Sequence, residues 1–290
     1  MYMIAFYEDL LNYEFLQKAL FTSVMVGIIC GVIGSFIVLR GMSLIGDAIS
    51  HAVLPGVAIS YMLGINFFYG AVVTGMLTAV GIGFINQNSR IKNDSAIGIV
   101  FSSAFAIGVI LIAQANSSID LNRILFGSVL SVKTSDMWMT LIIGAIVLLT
   151  VIIFYKELLV STFDPTFAAS YGLPNKFIHY LVMILLTLVT VASLQTVGII
   201  LVVAMLITPA STAYLLTNRL STMIVLASFF GAMSSIIGLY FSFEYNLSSG
   251  AVIVLVATTL FLLAFFFSPK EGLITRSLRS KKKKSVTTIS

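Results

Sequence analysis

The 290-residue chain carries 16 Lys plus Arg, 11 Asp plus Glu and 2 His, and its charged fraction of 9% compares with about 25% in an ordinary soluble domain. Apolar residues make up 59% of it and fall in long uninterrupted blocks rather than at spacings of three or four. This excludes a soluble globular enzyme, a disordered chain and a disulfide scaffold, and predicts an all-α polytopic membrane protein of about eight to ten spans at about 20 residues each.

In chain order, the polar lead contains Glu8, Asp9 and Glu14 instead of a basic stretch, and the apolar run behind it is too long for a cleavable signal. Nine apolar blocks follow, at 19–39, 46–63, 67–85, 95–113, 137–154, 177–196, 197–216, 222–241 and 249–267. The first contains Gly27, Gly31 and Gly34, which allow close helix approach and read as packing features. It also holds the single cysteine, Cys30, which can form no internal disulfide. The second is interrupted by Asp47, His51 and Pro55, and the sixth and seventh almost merge. Between the fourth and fifth, the semi-polar stretch 114–136 with Ile124-Leu125-Phe126-Gly127 could form a short re-entrant helix, which is allowed only where protein shields it from lipid.

Residues 1–269 therefore read as one transmembrane domain without internal repeats, and residues 270–290 as a basic tail. With the C-terminus inside and nine spans, Arg40, Arg90, Lys92, Lys156, Lys176, Arg219, Lys270, Arg276, Arg279 and Lys281 to Lys284 fall on the inner side. Only Lys18, Arg123 and Lys133 fall outside. Positively charged loops stay in the cytosol, so the N-terminus is expected outside and the C-terminus inside. Six acidic residues (Glu8, Asp9, Glu14, Asp120, Asp136 and Glu244) then give an outer surface that draws cations. The tail, with seven basic residues and Glu271, reads as a stop signal lying on anionic lipid headgroups.

One block interior stands out: Gly46-Asp47-Ala48-Ile49-Ser50-His51-Ala52. An Asp at the centre of a membrane helix costs about 2.5–3.5 kcal/mol on insertion scales, so it calls for a partner or a purpose. Asp47 and His51 are four apart and share one helix face, with Cβ atoms about 5–6 Å apart. A carboxylate and an imidazole converging on one point suit manganese, ferrous iron or zinc better than calcium or copper(I). The same spacing also fits a structural ion pair between helices. Pro55 and Gly56 favour a bent helix with loosened backbone, where a cavity can form. The other histidine, His179, sits beside Lys176 and Tyr180 and reads as an interfacial residue.

The polar segment between the fifth and sixth blocks, Ser161 to Pro174, is patterned as a short helix of about two turns. Asp164 caps it, Pro165 takes its first position, Gly172 ends it and Pro174 blocks continuation. Phe163, Phe167 and Tyr171 fall on one face. Such a helix either rests on lipid or docks into a cytosolic partner. Equally informative is what the sequence lacks. Neither Lys133-Thr134 nor Lys284-Ser285 follows a glycine as a nucleotide-binding loop requires, and there is no His-Glu-x-x-His. Nor are acidic residues scattered through the spans, as in many ion-coupled carriers. A transporter built this way is not an enzyme itself and takes its energy from elsewhere.

The run Arg40-Gly41-Met42-Ser43-Leu44-Ile45-Gly46-Asp47-Ala48-Ile49-Ser50-His51-Ala52-Val53-Leu54-Pro55-Gly56 resembles the signature of the membrane permeases of bacterial manganese, zinc and iron ABC importers. Phe163-Asp164-Pro165 with Ala168, and the run from Val197 to Ala210, are similar to further stretches of that family. The likeness spans the chain except its basic tail and is nearest to the manganese permeases of Gram-positive bacteria. It implies an all-helical fold of the vitamin B12 and iron-chelate importer type, although those have more helices. It places the intramembrane metal ligands on Asp47 and His51, and an ATPase-coupling helix on about Ser161 to Leu173. The coupling residues would be Phe163, Asp164, Pro165, Phe167, Ala168, Tyr171 and Gly172, although Asp164-Pro165-Thr166 lacks an additional acidic residue present in many members. It further implies a homodimer in the bacterial plasma membrane, two cytosolic ATPase subunits that use the ATP, an extracellular metal-binding lipoprotein and no nucleic acid. No intrinsic cofactor is expected, and the transported ion would be Mn2+, with Zn2+ or Fe2+ as alternatives within the family. The competing readings are a stand-alone ion-coupled metal carrier and a membrane scaffold, and neither accounts for the capped loop helix.

Overall fold

A computed structural model describes residues 12–114 and 129–268, together with Leu10, Lys270 and Gly272. The candidate re-entrant run 124–127 and most of the basic tail lie outside the described residues. Twelve α-helices follow in order among them. They are α1 (Glu14–Leu39), α2 (Leu44–Ala52), α3 (Leu54–Leu63), α4 (Phe67–Asn88), α5 (Asn93–Gln114) and α6 (Thr134–Ile153). Then come α7 (Tyr155–Phe163), α8 (Pro165–Ser170), α9 (Asn175–Val197), α10 (Ile199–Leu216), α11 (Leu220–Glu244) and α12 (Ser249–Phe267). Taking α2 and α3 together as one interrupted span, nine segments of the described residues are long and apolar enough to cross a membrane. They coincide with the nine apolar blocks. A lone glycine, Gly198, separates α9 from α10, which explains why those two blocks almost merge in the sequence.

Helices are the form that apolar runs must take where no water can satisfy backbone polar groups. Buried hydroxyls are handled the same way and turn back onto their own helix. Ser35 donates to the Gly31 carbonyl at 2.8 Å, and Thr187 to that of Met183 at 2.9 Å. Two hydroxyls of α11 cross to α1: Ser235 Oγ donates to the Ser23 carbonyl at 2.9 Å and Ser228 Oγ to that of Ile28 at 3.4 Å.

α1, the α2–α3 span and α9 form the enclosed centre. α1 packs against α11, α10 and α6, while α9 packs against α4 and α6. The glycines of α1 make this possible. A Cβ at Gly27 would lie 2.6 Å from the Gly231 backbone, at Gly31 2.7 Å from Ala227, and at Gly34 2.0 Å from the Leu206 carbonyl oxygen. α5 is at the other extreme, the least enclosed span, packed chiefly on α2, α3 and α4. The segment just after α12 is fastened to the end of α10: Ser268 Oγ donates to the Leu215 carbonyl at 2.6 Å and Lys270 Nζ to that of Thr217 at 3.2 Å.

The break between α2 and α3 falls at Val53. Pro55 has no N–H to offer the carbonyl four residues earlier, that of His51, so a continuous helix would leave it unpaired in lipid. α3 is instead held against α4 by a backbone crossing. A Cβ at Gly56 would lie 2.0 Å from the Gly70 carbonyl oxygen, and one at Gly70 2.1 Å from that of Gly56. Gly56→Ala is therefore expected to cost about 1–3 kcal/mol through forced separation of the two helices. Gly98→Ala, where an added Cβ meets nothing within 4 Å, should be neutral. Thermal unfolding in detergent compares the two, and equal midpoints would show that the crossing does not need its glycines.

Candidate functional site

α2 is nine residues long and presents Asp47 and His51 one turn apart on the same side. Asp47 Oδ1 and His51 Nε2 are 3.5 Å apart, long for a strong hydrogen bond. It is, however, suitable for two donors of one ion. Metal–ligand bonds of about 2.0–2.2 Å separate neighbouring donors by roughly 2.8–3.6 Å between octahedral and tetrahedral angles. The imidazole is oriented by α5. Its ring lies 5.6 Å from that of Phe101 and 6.0 Å, edge-on, from that of Phe105. Its other nitrogen, Nδ1, is buried without a hydrogen-bond partner.

The pair faces the flank of the bundle rather than its centre. The Asp47 side chain is 46% exposed and that of His51 23%, and the neighbouring span is α5, the least enclosed of all. Among the described residues no cluster of three or more His, Cys, Asp or Glu side chains could hold a metal ion. The nearby hydroxyl of Ser50 is fully buried and donates to the Gly46 carbonyl at 2.8 Å within its own helix. Among the described residues, one copy of the chain thus brings one carboxylate and one imidazole to a partly open face.

The second predicted feature is also in place. α6 ends at Phe154, and the chain turns into α7 and then α8. Asp164 caps α8 by accepting the Phe167 N–H at 2.9 Å and the Thr166 hydroxyl at 2.6 Å. These two bonds, the first the larger influence, hold its carboxyl below the usual carboxylate range. Pro165 takes the first position. At the other end Gly172 adopts φ +83°, its N–H bonds the Ala169 carbonyl, and the Leu173 N–H reaches back to that of Ala168. This is the Schellman arrangement, in which a left-handed residue satisfies the last helical carbonyls. Ala168 is buried and faces the bundle. Phe163, Phe167 and Tyr171 are exposed, and the rings of Phe167 and Tyr171 stack at 6.0 Å. Phe163 belongs to the end of α7, one residue before the cap.

His179 lies in the second turn of α9, partly buried, with its ring edge-on to Tyr180. Its Nε2 is buried without a hydrogen-bond partner, and it is not part of the Asp47–His51 pair. Sequence reasoning missed the two phenylalanines behind His51. Their signal is faint: Phe101 and Phe105 stand four apart, enclosing Ser-Ser-Ala, in a block where any aromatic reads as lipid-facing. Arg40, which the sequence shows only as an inner-side cation opening the family-like run, is half-buried beside α7. Arg40 Nε donates to Thr162 Oγ1 at 3.1 Å and Nη2 to Ser161 Oγ at 3.5 Å.

Comparison with known proteins agrees with this architecture. The chain is 70% identical to the manganese transport system membrane protein MntC of Listeria monocytogenes over 269 residues, 93% of this chain and 96% of that one. Its structure is similar to that of PsaBC from Streptococcus pneumoniae in complex with Fab, with a TM-score of 0.86 at 52% identity, covering 96% of this chain and 99% of the other. An inward-facing metal-chelate type ABC transporter shares the fold alone, with a TM-score of 0.70 at 15% identity over 86% of this chain and 85% of the other. Residues 12–268 match the family described as the ABC 3 transport family, and the chain belongs to it.

Proposed function

We propose that this multi-pass membrane protein is the permease subunit of a bacterial ABC importer that takes up Mn2+, with Asp47 and His51 as the ligands that pass the ion. The observation that carries the reading is the carboxylate and imidazole 3.5 Å apart inside a broken spanning segment. An ionisable pair there is expensive and marks an ion pathway. Manganese is preferred over zinc and ferrous iron, all of which suit such a pair, on the name of the MntC relative. Energy would come from a cytosolic ATPase docking on the exposed aromatic residues of α7 and α8, in line with the absence of a nucleotide loop and of acidic relays in the spans. An extracellular metal-binding lipoprotein would deliver the ion to the acidic outer surface, with the N-terminus outside and the C-terminus inside. The basic tail would lie on anionic lipid.

The working unit would be a homodimer. Two ligands on an open flank are too few for manganese, which takes about six oxygen or nitrogen donors. A two-fold axis beside α2 and α5 would bring two Asp47 and two His51 side chains around one ion and leave room for water.

Three experiments test this. Asp47→Ala or His51→Ala should each lower cellular Mn2+ uptake by at least about tenfold, the loss of roughly 1.4 kcal/mol of ion binding, with normal membrane expression. Uptake near the wild-type rate in either variant would return the pair to a structural role. Replacing Phe163 and Phe167 with Ser should release the ATPase from the detergent-purified complex or uncouple ATP hydrolysis from uptake, because buried aromatics dominate interface energies. A full-strength complex with normal uptake would mean that the helix merely rests on lipid. Finally, metal analysis and a structure of a trapped complex should find one ion per dimer on the axis. Two separate ions, each on a single Asp47–His51 pair, would rule out sharing.

A further inference from the structure

We infer that Arg40 is the positioning residue through which movement of α7 and α8 reaches the metal-ligand helix α2, an inference that rests on the importer reading above. Arg40 closes α1, and its guanidinium extends to the last turn of α7, bonding Thr162 and Ser161 immediately before the Asp164 cap of α8. On its other side the chain is stiff. Gly41 adopts φ +66°, its N–H bonds the Val38 carbonyl at 3.1 Å, and the Met42 N–H bonds that of Ile37 at 3.0 Å. This Schellman turn, with Met42 and Ile37 both buried, welds Arg40 to the end of α1. The Ile45 N–H then bonds the Met42 carbonyl at 3.1 Å and starts α2, where Asp47 follows half a turn later.

α2 is consequently tied to Arg40 through the stiff Gly41 turn at its start, and at its end it runs through the Val53–Pro55 kink into α3. Both ion ligands ride on α2. A displacement applied at Arg40 therefore moves the corner between α1 and α2, and the start of α2 with it.

The way Arg40 is held suits a contact made to be remade. The ion pairs among the described residues are Glu14–Lys18 and Asp47–His51, so Arg40 has no carboxylate partner. Burial pushes its guanidinium down to about 10, which leaves it a cation at neutral pH. It sits where α1 and α7 both end, and helix C-termini carry partial negative charge that favours a cation. That field is diffuse and keeps the guanidinium in place, while two neutral hydroxyls supply direction and can be exchanged at small cost. A carboxylate would lock the contact, since breaking a buried ion pair costs far more than losing neutral hydrogen bonds.

The test uses the full complex with its ATPase in proteoliposomes supplied with Mn2+ and ATP. Arg40→Met, which removes the donors and keeps the bulk, should leave ATP hydrolysis within about twofold of wild type while Mn2+ uptake per ATP falls about tenfold. Arg40→Lys, which keeps charge and a donor, should recover most of that loss. Thr162→Val cuts the same contact from the other side without touching the charge, and should lower uptake per ATP by a similar factor. Unchanged uptake per ATP in both Arg40→Met and Thr162→Val would overturn the inference. So would a joint fall of hydrolysis, Mn2+ binding and uptake in Arg40→Met, which marks a purely structural role. Failure of the wild-type complex to import Mn2+ with ATP would instead overturn the importer reading, before any variant is compared.

Discussion

Pro55 has no N–H to give the carbonyl of His51, and much of the functional end of the molecule depends on that missing hydrogen bond. In lipid an unpaired carbonyl is costly, so the second span breaks at Val53 into two short helices instead of continuing as one. α2, before the kink, carries two ionisable side chains on a side the bundle covers only in part. Past it, α3 is held by the Gly56–Gly70 crossing, where the absence of two side chains lets α3 and α4 touch backbone to backbone.

Charge is used sparingly and at places where the fold can hold it. Asp47 and His51 stand together within one turn. Arg40 rests against two helix ends and two hydroxyls. Elsewhere in the spans, buried polar groups are mostly hydroxyls turned back onto their own helix, as at Ser35, Ser50 and Thr187. Among the described residues, the other carboxylates of the spanning helices, Glu14, Asp94, Asp136 and Glu244, stand at helix ends. That is the physical reason to look for its energy source outside the chain, at the exposed aromatic residues Phe163, Phe167 and Tyr171.

The two features proposed to act in transport are far apart in sequence and linked in space through Arg40. α8 is a capped, closed unit: Asp164 holds its start and Gly172 its end, so it can be pushed as one body. α2 is equally short and bounded by its own turn and break. The central helices α1 and α9, by contrast, are locked by glycine crossings and by the core around Phe36, Met183 and Leu186.

Much of this was legible in the residues. Uninterrupted apolar runs can only be helices in a bilayer, so the nine spans follow from hydropathy, and the α8 caps follow from Asp164-Pro165 and Gly172, because capping is decided within a few residues. The candidate ion pair was equally visible, since a carboxylate and an imidazole four apart must share a helix face. Three things were decided by tertiary structure. Arg40 contacts Ser161 and Thr162 across more than a hundred residues, and no local pattern encodes such a partner. Phe101 and Phe105 look like any lipid-facing aromatics until α5 is placed beside His51. The open side of the Asp47–His51 pair depends on which faces of α2 and α5 the rest of the bundle covers. Hydrophobic periodicity cannot report that in a membrane chain, because lipid and protein interior are equally apolar and leave the same mark on the sequence.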